Sequence, residues 1–161
     1  MSVPPTLRAG LRRGAVAAAL LLPGATGVTQ PTLELVAPAK VPAGDTVEIV
    51  LRVRNDGPEP LELELSGRPV AFDILISDAG GSEVWRRLAG SAVSAALALL
   101  TLQPGETRDF SARWAQVDSL GRAVPPGRYT IQGILPMGTR RLVTSSRELV
   151  IEPSPASRHQ R

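Results

Sequence analysis

The sequence predicts an all-β protein, an antiparallel immunoglobulin-like β-sandwich of about eight strands. Two observations lead to this fold class. Apolar and polar residues alternate with a period of two through most of the chain after Thr32, which is typical of strands that bury one face. The alternating segments are separated by turn-forming clusters, and the chain contains 15 glycines and 15 prolines. Because both residues disfavour helix interiors, this distribution favours many short strands joined by turns.

Eight segments are predicted to form strands, in chain order 32–37, 46–54, 61–66, 70–76, 82–88, 107–114, 128–135 and 142–152. In the third segment, leucines alternate with Glu62 and Glu64, which we expect on a solvent-exposed face. In the fourth, Phe72 shares one face with Ile74 and Ile76, so the pattern predicts that Asp73 is exposed.

The breaks between these segments have the composition of turns. They are Asn55-Asp56-Gly57-Pro58-Glu59-Pro60, Asp78-Ala79-Gly80-Gly81, Gln103-Pro104-Gly105-Glu106 and Pro125-Pro126-Gly127. Proline cannot donate to a strand ladder, and asparagine and glycine accept left-handed backbone conformations. Residues 91–102 are ambiguous, because Ala and Leu dominate them, and we predict a short helical turn that runs into a strand.

The N-terminal 27 residues have the pattern of a signal peptide. Arg8, Arg12 and Arg13 precede an apolar run at 15–22, and small residues precede Val28. The run is too short to span a bilayer. We therefore expect three regions: a leader at 1–27, one β-sandwich domain at 28–152 and a disordered tail at 153–161. The domain would be exported to the periplasm or medium without a stable membrane anchor, or cytoplasmic if the leader is not cleaved.

The charge distribution argues against a nucleic-acid partner. The formal net charge is +3, but three arginines lie in the leader and two in the tail. Acidic residues outnumber basic ones by two in the remaining body. A domain with no basic excess lacks the electrostatic footprint of phosphate binding.

The residues needed for catalysis or metal binding are scarce, so we expect neither an enzyme nor a cofactor. The chain has no cysteine and one histidine, His159, which lies in the predicted tail. A serine–histidine–aspartate triad or a histidine-ligated metal would need that side chain in the folded body.

The five aromatic residues are Phe72, Trp85, Phe110, Trp114 and Tyr129. All lie on predicted strands, and we expect them in the core, the two tryptophans included. The alternative is a surface on which a sugar or peptide stacks.

An ordered set of short motifs resembles the BsuPI-type intracellular proteinase inhibitor family over Val53–Leu135. The set comprises Asn55, Leu61–Leu65, Ser66-Gly67, Phe72-Asp73, Glu83-Val84-Trp85, Pro104-Gly105-Glu106-Thr107, Trp114 and Pro126-Gly127-Arg128-Tyr129. The resemblance implies a β-sandwich whose partner is a serine proteinase of the subtilisin type. It identifies no contact residues, because its motif positions are turns, core aromatics and strand ends.

Two functions follow as hypotheses. As an inhibitor, the domain would present a rigid loop, and the best candidate is 116–124, with contacts from Asp118, Ser119, Leu120, Gly121 and Arg122. The same segment also fits an ordinary connection between strands. As a non-catalytic interaction or assembly module of the cell envelope, the domain would instead present an exposed apolar patch or edge strand.

We predict that export removes the leader. The protein recovered from its native cells should have the mass of a chain that begins near Val28, as measured by mass spectrometry. A cytosolic protein that retains Met1 would contradict this prediction.

Overall fold

The alternating segments form eleven β-strands in the computed structural model, which describes residues 30–154. The predicted leader and residues 155–161, including His159, lie outside the described residues. Within 30–154, no helix has the length and apolar character needed to cross a membrane. The strands are β1 (Thr32–Val36), β2 (Lys40–Pro42), β3 (Val47–Arg54), β4 (Leu61–Ser66), β5 (Asp73–Asp78), β6 (Glu83–Arg86), β7 (Leu97–Leu102), β8 (Thr107–Trp114), β9 (Gly127–Met137), β10 (Arg140–Val143) and β11 (Arg147–Glu152).

The strands form two sheets that pack face to face, which confirms the predicted all-β sandwich. The smaller sheet has the order β1-β3-β8, and the larger has the order β2-β11-β9-β4-β7. β5 and β10 also pair with β9, and β6 pairs with β5. The β2–β11 pair is parallel, and the other pairs are antiparallel.

The core is built from the inward residues of the alternating strands. On β3, the four residues Val47, Ile49, Leu51 and Val53 are fully buried. Glu62 and Glu64 on β4 are exposed, as their alternation predicts, while Leu63 and Leu65 between them are buried. The period-two pattern therefore sets which face of each sheet turns inward.

Besides shifts of one to three residues at strand ends, the strands differ from the prediction in three places. β2 has only three residues, too few to show a period. Residues 142–152 divide into β10 and β11, because Thr144 between them turns inward and its Oγ1 accepts a hydrogen bond from the Gly133 amide. Residues 91–96 form no helical turn, and β7 pairs along its whole length with β4. The alternating leucines of β4 offer the Ala/Leu run a strand partner, and this pairing outweighs its helix propensity.

Asp73 is buried rather than exposed, with 3% of its surface accessible. Its Oδ1 accepts the backbone amides of Ile74 and Leu88, and its Oδ2 accepts the Arg86 guanidinium. A buried carboxylate is tolerated when its oxygens are paired and hydrogen-bonded in this way. The aspartate of the Phe-Asp motif therefore ties the segment after β6 to the start of β5.

Asn55 is a second buried polar residue that joins separate turns. Its Nδ2 donates to the carbonyls of Glu59 and Leu102, and its Oδ1 accepts the Gly57 amide. Its backbone amide donates to the Glu106 carbonyl at 3.0 Å. Within residues 30–154, no buried side-chain nitrogen or oxygen lacks a partner.

Gly133 on β9 packs directly against a core side chain of the other sheet, and this closeness gives a stability prediction. A Cβ at this position would overlap the Cδ1 of Leu51, which is fully buried, and would lie 3.3 Å from Thr144 Cγ2. We expect Gly133→Ala to lower the free energy of unfolding by about 1–3 kcal/mol, because overpacking displaces core side chains. Denaturant unfolding measures the change.

The control is Gly127→Ala on the same strand. The nearest atom to a Cβ at Gly127 is Tyr129 Cε2 at 4.0 Å, an ordinary contact. This variant should unfold at or above the wild-type midpoint. Equal midpoints for Gly133→Ala and the wild type would contradict the close packing of Leu51 against β9.

Candidate functional site

The loop between β8 and β9, residues 116–124, is hereafter called the Asp118 loop. It begins at Gln116, which has a left-handed backbone with φ of 57° and is buried. The side-chain oxygen of Gln116 accepts the Gly44 amide at 2.9 Å, and its Nε2 donates to the Pro42 carbonyl at 2.8 Å. A left-handed non-glycine residue costs about 1–3 kcal/mol. The two bonds to the β2–β3 turn offset that cost and fix where the loop begins.

Backbone hydrogen bonds close the Asp118 loop into a small hairpin. Val117 and Ala123 form an antiparallel bridge. The Asp118 amide donates to the Arg122 carbonyl at 2.8 Å, and the Val124 amide donates to the Gln116 carbonyl at 2.9 Å. The loop is therefore an ordered structure with a tip at 119–121.

The Asp118 carboxylate lies inside this hairpin and holds its tip. Its Oδ1 accepts the amides of Leu120 and Arg122, each at 2.9 Å. Its Oδ2 accepts the Arg122 guanidinium from Nε and from Nη2, both at 2.8 Å. The Arg122 backbone amide, followed by its guanidinium, lowers the pKa of Asp118 below its usual value. The ionised carboxylate is thus the form that the folded loop favours.

The tip residues differ in what they contact. Gly121 has φ of 77° and donates its amide to the Asp118 carbonyl, which closes the tip as a tight turn. The Ser119 amide donates to the Val84 carbonyl of β6 at 3.0 Å. The Leu120 side chain is 73% exposed. The loop therefore presents one apolar side chain to solvent from a fixed backbone.

Three aromatic residues support the Asp118 loop from the core. Trp114 is fully buried, and its Nε1 donates to the Val117 carbonyl at 2.8 Å. The rings of Trp85 and Tyr129 lie 6.4 Å and 5.9 Å from the Trp114 ring. The Tyr129 hydroxyl donates to the Pro125 carbonyl at 2.6 Å, and burial, with a smaller effect of Asp78, raises the pKa of Tyr129.

The core prediction for the aromatic residues is confirmed for Trp114, Phe72 and Tyr129. It is wrong in part for Trp85 and Phe110, which pack against the core but remain half-buried. Trp85 lies on β6, an edge strand that is only four residues long.

A shallow groove of about 330 Å³ runs beside the Asp118 loop. Carboxylates of Asp78, Glu83 and Asp118 line it, together with Arg122 and Tyr129. A larger groove of about 860 Å³ lies away from the loop, against Arg86, Val93 and the β9–β10 turn. Within residues 30–154, histidine, cysteine and carboxylate side chains form no group of three that could hold a metal ion.

The predicted contact residues thus lie together but do different things. Asp118, Gly121 and Arg122 build the frame of the hairpin, Ser119 ties it to β6, and Leu120 points outward. Sequence reasoning missed Gln116 as the anchor of the loop. The Asp118-to-Gly121 spacing is a turn signal that could have indicated the hairpin.

Three of the solved structures that match this chain do so at low identity and with TM-scores below 0.5. Part of a β-glucosidase from Erythrobacter marinus matches at 16% identity and a TM-score of 0.44, over 77% of this chain and 16% of that chain. Part of latent PorU from Porphyromonas gingivalis matches at 12% identity and a TM-score of 0.47, over 80% of this chain and 10% of that chain. The CARDB domain of a Pyrococcus furiosus protein matches at 13% identity and a TM-score of 0.40, over 78% of this chain and 93% of that chain. The chain spans only a small part of the first two proteins, and nothing functional follows from such likenesses.

The protein-family comparison is more specific. No curated protein matches the chain, but the family model described as BsuPI, intracellular proteinase inhibitor, matches residues 35–139. The matched stretch covers well over half of the chain and includes Trp114, the whole Asp118 loop and Tyr129. The chain therefore belongs to the BsuPI family of intracellular proteinase inhibitors.

Proposed function

We propose that the domain inhibits a subtilisin-like serine proteinase and that the Asp118 loop is its contact. The observation that carries the proposal is Leu120, 73% exposed at the tip of a loop held by hydrogen bonds on every side. The family supports a protein partner and a binding role rather than a catalytic one.

The rigidity of the loop is what an inhibitor needs. Binding immobilises flexible side chains and loops at an entropic cost, and a loop that is ordered before binding avoids most of it. Here the Asp118 carboxylate, the Trp114 indole and the Gln116 amide each hold a different part of the hairpin. Leu120 is then free to enter an apolar specificity pocket as the anchor of the interface.

Charge around the loop adds a second means of recognition. Arg122 is exposed on the loop, and the adjoining groove carries Asp78 and Glu83. A proteinase surface with complementary charges would approach faster and in a defined orientation, because charged rims steer association. Leu120 would then determine the affinity, and the surrounding charges would determine which proteinase is bound.

The non-catalytic interaction module is retained as the second candidate because one observation favours it. β7 is an edge strand whose outward side chains Leu97 and Leu99 are exposed. This is the feature that such a module would present, and it lies on a different element from the Asp118 loop.

We also propose that the chain acts outside the cytoplasm, supported by the leader pattern at 1–27. The family description names an intracellular inhibitor. An exported member would meet a different set of proteinases from a cytoplasmic one, so cell fractionation decides which enzymes belong in the assay.

Replacement of the anchor tests the contact. We expect Leu120→Ala to raise the inhibition constant at least about tenfold, equivalent to about 1.4 kcal/mol, because a central apolar anchor is lost. The melting temperature should not change, since the side chain touches little of the domain. The measurement is titration of the purified chain against a panel of subtilisin-like enzymes.

The matched control is Leu99→Ala, because Leu99 is also 73% exposed but lies on β7. It should inhibit like the wild type. Wild-type protein that inhibits no enzyme of the panel at micromolar concentration would leave the interaction module as the better function. Equal inhibition by Leu120→Ala and the wild type would keep the function and exclude this loop.

Acid should disorder the tip of the Asp118 loop, but only at low pH. The folded loop lowers the pKa of Asp118, so its stabilisation is fully present above about pH 4, the ordinary aspartate range. It is lost as the pH falls through the lowered value. In ¹H–¹⁵N NMR spectra, the Leu120 and Arg122 amide signals should stay constant from neutral pH to about 5 and move together below the ordinary range.

Asp118→Asn is the reference for this titration, since its amide keeps an oxygen acceptor but cannot ionise. The two amide signals should then show no acid transition. A wild-type transition at or above the ordinary aspartate range would show that the carboxylate does not hold the tip.

A further inference from the structure

We propose that β7 is a self-association edge, on which a second copy of this chain pairs its own β7 antiparallel across a two-fold axis. The proposal is independent of the Asp118 loop and of inhibition. It starts from the position of β7, which is hydrogen-bonded to β4 on one side and ends the larger sheet on the other.

β7 is the one edge strand in residues 30–154 that has no charged residue of its own. The other edge strands each hold charged residues, namely Glu34 on β1, Lys40 on β2, Glu83 and Arg86 on β6, Arg108, Asp109 and Arg113 on β8, and Arg140 and Arg141 on β10. Charges on an edge prevent pairing with another chain. No charged residue lies between Leu88 and Gln103, so β7 alone lacks a charge of its own, although the Arg68 guanidinium reaches it at the Leu97 carbonyl.

The free edge is also apolar. Leu97 and Leu99 are 48% and 73% exposed. They are two of the six large hydrophobic residues exposed within the described part of the chain. Large apolar residues grouped on one exposed edge are typical of an interaction surface.

The backbone groups that point away from β4 can be assigned from the register. The Gly67 amide donates to the Ala96 carbonyl at 2.8 Å, one step beyond the Ser66–Leu97 pair. Hydrogen-bonded pairs alternate along an antiparallel ladder. The amides and carbonyls of Leu97, Leu99 and Thr101 therefore point toward the free edge. Among these groups, the Leu97 carbonyl accepts a long 3.3 Å bond from Arg68 and has a second lone pair left.

A two-fold axis perpendicular to the sheet at Leu99 pairs all of these groups. Leu99 then faces Leu99 of the second copy, and Leu97 faces Thr101 of the second copy at each end. Each of the three residue pairs exchanges two hydrogen bonds, so the contact forms about six. Residues of the same parity meet, so the exposed faces of both copies stay on one side, and the two Leu99 side chains cover each other.

The charges nearby permit this pairing. Glu64 lies one strand behind Leu99, so the two copies of Glu64 would be three strand spacings apart, about 14 Å. This exceeds the Debye length of about 8 Å at physiological salt. Arg68 lies at the Leu97 end, where Thr101 of the second copy arrives with Glu62 of the second copy on the strand behind it. Arg68 and Glu62 of the second copy would thus lie about two strand spacings, about 10 Å, apart at each end, closer than the two Glu64 residues, which favours a second copy over an unrelated strand.

The contact area is small, so we expect a reversible dimer rather than an obligate one. Sedimentation velocity of the full chain over a concentration series should show conversion of monomer to dimer. Leu99→Lys places two ammonium groups opposite each other and should abolish the dimer. Leu99→Glu should do the same, and an equimolar mixture of the two variants should restore it.

The control is Leu120→Lys, an equally exposed leucine on the Asp118 loop, which should dimerise like the wild type. Leu99→Lys should inhibit a proteinase as the wild type does if the proposed function holds, so the failure of one proposal leaves the other standing. A wild type that is monomeric at all concentrations, or a Leu99→Lys chain that still dimerises, overturns the edge pairing.

Cysteine substitution tests the register, because the chain has no native cysteine. Facing Cα atoms of a hydrogen-bonded pair lie about 5.5 Å apart, within the range that a disulfide spans. Mild oxidation should therefore link Leu99→Cys into a covalent dimer, whereas Leu97→Cys, which faces Thr101 of the second copy, should form no covalent dimer. Equal cross-linking of both variants would overturn the two-fold register at Leu99.

Discussion

The indole of Trp114 connects the core of the sandwich to the loop that it presents. The ring is fully buried at the end of β8, between the rings of Trp85 and Tyr129, and its single donor is used on the Val117 carbonyl. A buried indole N–H needs a partner, and the loop backbone supplies it. The packing of Trp114 in the core therefore also fixes the position of the loop. Trp114 and Tyr129 belong to the family motif as core residues, and through their hydrogen bonds they also position the Asp118 loop.

Hydrogen bonds from buried polar side chains fix the conformation of the irregular segments, as ladder hydrogen bonds fix that of the strands. Asn55 satisfies backbone groups from two turns, Asp73 satisfies those around the end of β6, and Gln116 binds the β2–β3 turn. Each of these side chains replaces water for backbone groups that no ladder reaches. This explains why turns rich in glycine and proline can hold a tip residue such as Leu120 in place. An apolar residue at any of the three sites would leave buried amides or carbonyls unpaired.

The fold was accessible from the sequence because one-sided burial leaves a period of two. Val47 to Val53 and the leucines of β4 show it clearly, and both strands form as predicted. The sequence predictions failed where the alternation of apolar and polar residues does not match which side chains are buried. Asp73 breaks the rule that polar positions face water, because the adjacent Ile74 amide and, from the segment after β5, Arg86 and the Leu88 amide compensate its charge. β7 was ambiguous because Ala and Leu suit either element, and its strand form depends on β4.

The candidate site could be located but not built from sequence. Its position after the last residue of β8 and before Pro125-Pro126 follows from turn composition. The hairpin itself depends on the Asp118 carboxylate reaching the amides of Leu120 and Arg122, a geometry that requires the left-handed Gln116 and Gly121. The left-handed conformation at Gly121 can be predicted from the local sequence. That of Gln116 cannot, because it depends on contacts with Pro42 and Gly44, which are more than 70 residues away.

The two exposed leucines of equal accessibility place the two proposed contacts on separate surfaces of the domain. Leu120 lies on a loop that is hydrogen-bonded to β6 and the β2–β3 turn. Leu99 lies on β7, which pairs with β4 at the edge of the larger sheet. None of the described grooves is lined by residues of both. The loop is rigid, which suits insertion into a preformed cleft, and the strand edge has free amides and carbonyls, which suits pairing with another strand. The proposed β7 pairing uses only main-chain groups and side chains of the larger sheet. It therefore leaves the Asp118 loop of each copy unobstructed. A paired molecule would then present two loops at once, and binding to clustered proteinases would gain from their effective concentration.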